Sequence, residues 1–245
     1  VIVPIGDDNR DRRLVPFVTY LIIAANILVF VLLQGLGGNV EFTYSFSTVP
    51  EEIISGRDVV TEDRVFRDPL SGDRYRVPGL QPTPISVYIT LITAMFMHGG
   101  LGHIIGNLLF LWVFGDNLED FLGHGRYLLF YLATGILASL AHVYTTVLTD
   151  ANMLVPMLGA SGAISGVLGG YLMLFPRRRV WVLLFRFIVQ VPAIVAIGIW
   201  FVFQLVSGLG LLGAGTQAGG VAYAAHIGGF VAGFLLIRLF SIARV

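Results

Sequence analysis

Cysteine and lysine are both absent from this 245-residue chain. Without cysteine there is no disulfide, no thiolate metal ligand and no cysteine nucleophile, and the redox compartment stays open. All fifteen cations are arginine and are matched by fifteen acids. The resulting net charge of zero gives no basic surface for nucleic acid. Charge is scarce as well: 12% of residues are charged and 56% are hydrophobic, whereas a soluble domain carries about 25% charge. That balance points to an integral membrane protein. HExxH, the motif of many zinc peptidases, is missing, and so is a pair of aspartates at membrane depth. Metallopeptidase and aspartyl intramembrane peptidase chemistry are thereby disfavoured, and neither metal nor cofactor is expected.

Apolar runs long enough to cross a bilayer fall at roughly 15–35, 102–117, 126–148, 159–175, 190–207 and 220–240. They predict an all-α, polytopic six-helix bundle forming one domain over 1–245. No cleavable signal peptide is evident, and because Val1 is not a start methionine, the native chain is expected to begin upstream. Six spans place both termini on one side of the membrane. Arg10, Arg12, Arg13, Arg126, Arg177, Arg178, Arg179, Arg186, Arg238 and Arg244 all fall on that side. Positive residues in short loops mark the cytoplasmic face, so both termini, including the polar segment 1–14, are expected in the cytoplasm. The other five arginines, Arg57 to Arg76, lie in a long external connection over 36–85. There RVFRDPLSGDRYRV alternates around Ser71-Gly72-Asp73, suggesting a β-hairpin; a solvated linker is the alternative. The short apolar stretch Ile85 to Met97 reads as an interfacial helix.

Polar groups at membrane depth are costly and mark candidate functional positions. In HGGLGHIIGN, His103 and Asn107 are one helical turn apart and share a face. The fourth span opens at Ser161 in GASGAISG, and the sixth carries His226 in AYAAHIGG. All four lie near the external ends of their helices, in one shallow layer. Gly162, Gly166 and Gly170 on the fourth span, and Ala225, Gly229 and Gly233 on the sixth, form small-residue stripes that let helix backbones approach closely. A serine beside a neutral histidine is the pairing needed for nucleophilic acyl transfer. His103, the Asn107 amide and the backbone N–H of Ser161 are candidate oxyanion donors, while Gly159 and Gly162 keep the approach to Ser161 open. No carboxylate is placed to complete a triad, since Asp116, Glu119 and Asp120 lie at the opposite end of the second span. Ser165, a turn deeper, is the alternative nucleophile. Gln190 and Gln204, flanking the fifth span, read as packing residues, and His98 reads as lining a wet cavity or bonding to loop backbone. A small transporter with a polar layer between helices is the competing class, disfavoured because the polar groups gather at one face.

Taken together, GASG with serine third, AHIGG about sixty-five residues later and HGGLGHIIGN upstream resemble the rhomboid intramembrane serine proteases. LWVFGDNLEDFLGHGRYLLFY and the PRRR turn resemble bacterial members. The resemblance implies a Ser161–His226 dyad, an oxyanion hole using His103 and Asn107, and His98 nearby. It also implies cleavage of transmembrane proteins, single-pass ones above all, near the outer face of a bacterial cytoplasmic membrane. A client-binding, inactive relative is the alternative that retention of Ser161 and His226 argues against. Two departures stand out. Some members carry a tyrosine one turn after the nucleophile that stacks on the histidine, where this chain has Ser165. The Trp-Arg pair of some first loops is also missing.

Overall fold

The structure, a computed structural model, describes residues 2–67, 74–209 and 222–241. Helix α1 (Phe17–Leu28) continues as a π-helical turn, Val29–Leu33. Short helices α2 (Val40–Ser45) and α3 (Pro50–Ser55) follow, then strands β2 (Arg64–Arg67) and β3 (Arg74–Val77), which pair antiparallel. The hairpin expected in the first connection is therefore present, while its turn over 68–73 lies outside the described residues. Between Val87 and Phe96 the chain forms short helical turns, including α4 (Thr90–Thr93). The long helices α5 (Leu101–Leu122) and α6 (His124–Leu148) come next, followed by α7 (Ser161–Leu174), α8 (Ala193–Gly208) and α9 (Tyr223–Ser241). Among the described residues, α5, α6 and α9 are long and apolar enough to cross a membrane; α7, α8 and the α1 segment are shorter apolar helices.

At the bundle's centre α6, α7 and α9 pack against one another. A Cβ on Gly233 would stand 1.9 Å from the carbonyl oxygen of Gly166, and one on Gly229 would stand 2.2 Å from that of Gly162. The two stripes seen in the sequence thus face each other backbone to backbone. The same face of α7 also meets α6, because a Cβ on Gly166 would fall 2.4 Å from Thr134 and one on Gly162 2.8 Å from Ala138. Gly170 turns instead toward Phe130, and Gly169 takes the place against Phe230. Such contact is what lets helices associate where lipid removes the hydrophobic driving force between them.

The acidic end of α5 docks the start of α1. Pro16 precedes α1 and no residue of its own caps it; the buried Glu119 carboxylate instead accepts the N–H groups of Val18 and Thr19 and the Thr19 hydroxyl, each at 2.7 Å. Asp120 accepts from the N–H groups of Arg13 and Leu14, and Asp116 pairs with Arg12 at 2.7 Å. Carboxylates satisfy the orphan donors of a helix N-terminus and complement its dipole. His124 opens α6 and lies 2.6 Å from Glu119.

Two expectations need correction at this end of the bundle. The fifth apolar run is not helical from 190: Gln190 lies on a strand and α8 starts at Ala193. Segment 1–14 is likewise not a simple polar leader. Strand β1 (Ile2–Asp7) joins β4 (Arg179–Leu184) and β5 (Phe187–Pro192) in an antiparallel sheet of order β1-β4-β5. Its inner face, Pro4, Val180 and Val182, is buried, and Val189 and Val191 pack against the core. Asp7 fastens the sheet to the helices by accepting from Tyr171 Oη at 2.5 Å and Asn117 Nδ2 at 2.6 Å. Arg178 donates to Asn117, to the Asp8 carbonyl and to Asp11.

Candidate active site

Ser161 is the first residue of α7, so its side chain and its unpaired N–H sit at a helix N-terminus. His226 lies in the first turn of α9. The Gly162–Gly229 approach brings these ends together, and Ser161 Oγ lies 2.8 Å from His226 Nε2. On the other edge of the ring, Nδ1 lies 2.8 Å from Gln204 Oε1, in α8. With an amide oxygen facing it, Nδ1 carries the proton and donates, which leaves the Nε2 lone pair to accept the serine hydroxyl. The indole of Trp200, one turn before Gln204, tilts over the imidazole at 6.2 Å between centroids, and Tyr223 meets it edge-on at 6.3 Å. These α8 and α9 groups flank the ring in a chain whose α7 carries Ser165, not an aromatic, one turn after Ser161. Ser165 is fully buried and donates to the Ser161 carbonyl at 2.6 Å; its hydroxyl is thus committed to the helix backbone.

The loop before α7 completes the surroundings of Ser161. Gly159 has φ +122, and a Cβ there would lie 2.9 Å from His103 Nε2 and 3.5 Å from Ser161 Oγ. A pocket that only glycine leaves open thus lies between the imidazole of α5 and the serine. His103 Nδ1 accepts the N–H of Gly99 at 3.3 Å, which places the ring proton on Nε2, toward that pocket. Asn107, one turn along α5, is buried, and its Nδ2 makes no hydrogen bond. A buried donor without a partner is costly, and it is available to an incoming acceptor. The 157–159 backbone is held from two sides: Met157 and Thr48 exchange hydrogen bonds of 2.8 and 2.9 Å, and Gly159 N–H donates to the Ala94 carbonyl at 2.8 Å.

His98 packs beside His103, with ring centroids 5.1 Å apart. Its ring is 1% exposed, its ring nitrogens have no partner, and it packs edge-on against Phe30 and His103. Its backbone is what bonds: Gln34 donates to the His98 carbonyl and accepts from the His98 N–H, each at 2.9 Å. His98 thus anchors the turn leading into α5. The void beside Ser161, bordered by Met95, Ser139, Met157, Ala222 and Ala225, has about 10 Å³ open to water, roughly one water sphere. Sequence reading missed Gln204 as a partner of the histidine. The signal was the single amide of α8, one turn after Trp200.

This chain matches the rhomboid domain over residues 86–243 and belongs to the rhomboid family. It is 35% identical over 156 residues to Rhomboid protein 1, mitochondrial, of Saccharomyces cerevisiae, a match covering 64% of this chain and 43% of that protein. It is 31% identical over 221 residues to Rhomboid protease GluP of Bacillus subtilis, covering 89% of this chain and 34% of GluP. With Putative rhomboid protease YdcA of the same bacterium it shares 37% identity over 82 residues, covering 34% of this chain and 39% of that protein. The chain thus spans less than half the length of each of these relatives. Family and apolar helices together make it an integral membrane protein.

Proposed function

We propose that this chain is an intramembrane serine endopeptidase that hydrolyses a peptide bond in or beside a transmembrane segment of another membrane protein, single-pass proteins being the natural substrates. The observation that carries the proposal is the 2.8 Å contact of Ser161 Oγ with His226 Nε2, with Gln204 behind the ring. In the reaction, Ser161 Oγ attacks the scissile carbonyl carbon as its proton passes to His226 Nε2. The oxyanion forms in the pocket beside Gly159, where His103 Nε2–H, the Asn107 amide and the Ser161 N–H donate to it. Collapse breaks the C–N bond, and the leaving amine takes the proton from His226. Water, deprotonated by the same imidazole, then hydrolyses the acyl-enzyme and frees Ser161. Gln204 acts on the histidine alone, keeping the proton on Nδ1.

The proposed architecture is a single domain of six spans, α1, α5, α6, α7, α8 and α9. Both termini are cytoplasmic, in a bacterial inner membrane, and Ser161 lies under the outer face with the 36–85 connection above it. The arginine distribution supports this orientation. Because the void at Ser161 is small, a substrate enters only as neighbouring elements part. The test is cleavage of a model single-pass protein by the chain reconstituted in liposomes. Ser161→Ala and His226→Ala are each expected to abolish product while leaving thermal unfolding unchanged. Undiminished cleavage by Ser161→Ala would remove the proposal.

A further inference from the structure

The β4–β5 hairpin is tied at its root to the ends of α7 and α8, with Ala193 N–H donating to the Arg178 carbonyl at 2.8 Å and Ile194 N–H to the Pro176 carbonyl at 3.0 Å. Burial falls along one face: Val180 and Val182 are buried, Leu184 is half-buried, and Phe187, across from Leu184, is 60% exposed. The opposite face is also apolar at its end, where Ile188 is 59% exposed. The two-residue turn, Phe185-Arg186, carries an 81% exposed phenylalanine at φ +54, where glycine, asparagine or aspartate would ordinarily stand. The tip is therefore apolar on both faces, with Phe185 beside Arg186 at its apex. A protein partner covers one face; lipid surrounds every side.

Charge points the same way. Arg186 lies over the Phe187 ring, and Arg177 and Arg179 are exposed at the root. The nearby acids Asp8 and Asp11 are already paired with Arg10 and Arg178. Exposed aromatic and aliphatic residues beside arginines that make no ion pair among the described residues are the composition of an interfacial anchor. Depth is limited by the backbone, because among the described residues β5 is an edge strand whose outward N–H and C=O groups have no partner strand, and such an edge does not enter hydrocarbon.

We propose that this tip is a membrane anchor. Phe185, Phe187 and Ile188 insert at the boundary of headgroups and acyl chains in the leaflet remote from Ser161, and Arg177, Arg179 and Arg186 engage the phosphates of anionic phospholipids. The inference rests on the six-span reading above. Because the chain has no cysteine, nitroxide labels on Phe185→Cys, Phe187→Cys and Ile188→Cys report these positions alone, and all three are surface sites whose replacement spares the core. The full chain is reconstituted in phosphatidylcholine–phosphatidylglycerol liposomes, and the accessibility of each label to oxygen and to a water-soluble nickel chelate is measured. Arg10→Cys serves as the water reference, and Leu129→Cys and Leu235→Cys as lipid references. Oxygen-to-nickel ratios at the tip are expected several-fold above that at Arg10 and below those at Leu129 and Leu235, falling when phosphatidylglycerol is omitted. Tip ratios equal to that at Arg10, with the helix labels lipid-like, overturn the anchor and leave the six spans standing. Dipolar broadening between tip labels assigns the tip to a second copy of the chain and also overturns it. Water-like ratios at Leu129 and Leu235 remove the six-span reading, and the anchor with it.

Discussion

Gln204 Oε1 and Ser161 Oγ contact opposite edges of the His226 imidazole, each at 2.8 Å. The amide fixes which nitrogen keeps its proton and so decides whether the serine meets a lone pair or an N–H. Gln204→Ala is expected to lower kcat by about tenfold to a hundredfold, the scale of losing an orienting outer-shell partner, with KM little changed. Gln204→Glu retains an acceptor oxygen and is expected to recover most of the rate. Equal losses in both variants would reduce Gln204 to a packing residue.

Asn107 offers a different signature, because its Nδ2 is buried without a partner before any substrate arrives. In the proposed reaction that donor is used only once negative charge develops. Asn107→Ala should slow turnover by no more than about 2.7–4 kcal/mol of transition-state stabilisation without abolishing it, and folding stability should be kept or improved, since a buried orphan donor is removed. A clear drop in thermal stability with unchanged kcat would make Asn107 structural.

The helix contact that joins Ser161 to His226 depends on missing side chains. A methyl at 233 would stand 1.9 Å from a backbone oxygen of α7, which no rotamer change relieves. Gly233→Ala is expected to destabilise by about 1–3 kcal/mol and to lower activity by parting the two helices. Gly198→Ala in α8, where nothing lies within 4 Å, is the control and should be neutral or mildly stabilising. Thermal unfolding in detergent reads both; equal melting temperatures would contradict the backbone contact.

Asp7, outside the spans, brings a pH dependence. Burial pushes its carboxyl from the ordinary 3.8 up to about 7, with the hydrogen bond from Tyr171 opposing the shift and Asp116 nearby adding to it. The folded chain therefore holds this proton more tightly than the unfolded one. The stabilisation is complete below about pH 4 and is lost as pH rises through about 7. Thermal stability of the chain should decline across that window by an amount of order a few kcal/mol, and Asp7→Asn should flatten the decline. An identical slope in both proteins would show that Asp7 does not hold the sheet through a bound proton.

Much of the arrangement was legible in the residues. The small-residue stripes predicted the α7–α9 contact because a missing side chain leaves a mark at four-residue spacing, and the alternation from Arg64 to Val77 predicted β2 and β3. The sheet under the bundle left no such mark. IVPIGD is short and broken by proline and glycine. VWVLLFRFIVQVP is apolar on both faces apart from Arg186 and Gln190, so no alternation marks it as strand, and its end from Gln190 reads as the start of the following span. Gln204 was visible as a lone amide, yet its partner lies in another helix, and only three-dimensional placement shows that the two meet. Similarly, the sequence spacing of His98 does not tell that its backbone, rather than its ring, bonds to Gln34.

The central claim is that the Ser161 hydroxyl is made nucleophilic by His226. A fluorophosphonate probe tests it most directly, applied to the active chain in detergent and followed by mass mapping of the adduct. One adduct is expected, on Ser161, lost in Ser161→Ala and strongly reduced in His226→Ala. An adduct on Ser165, or an unlabelled Ser161 in a preparation that cleaves substrate, would contradict it.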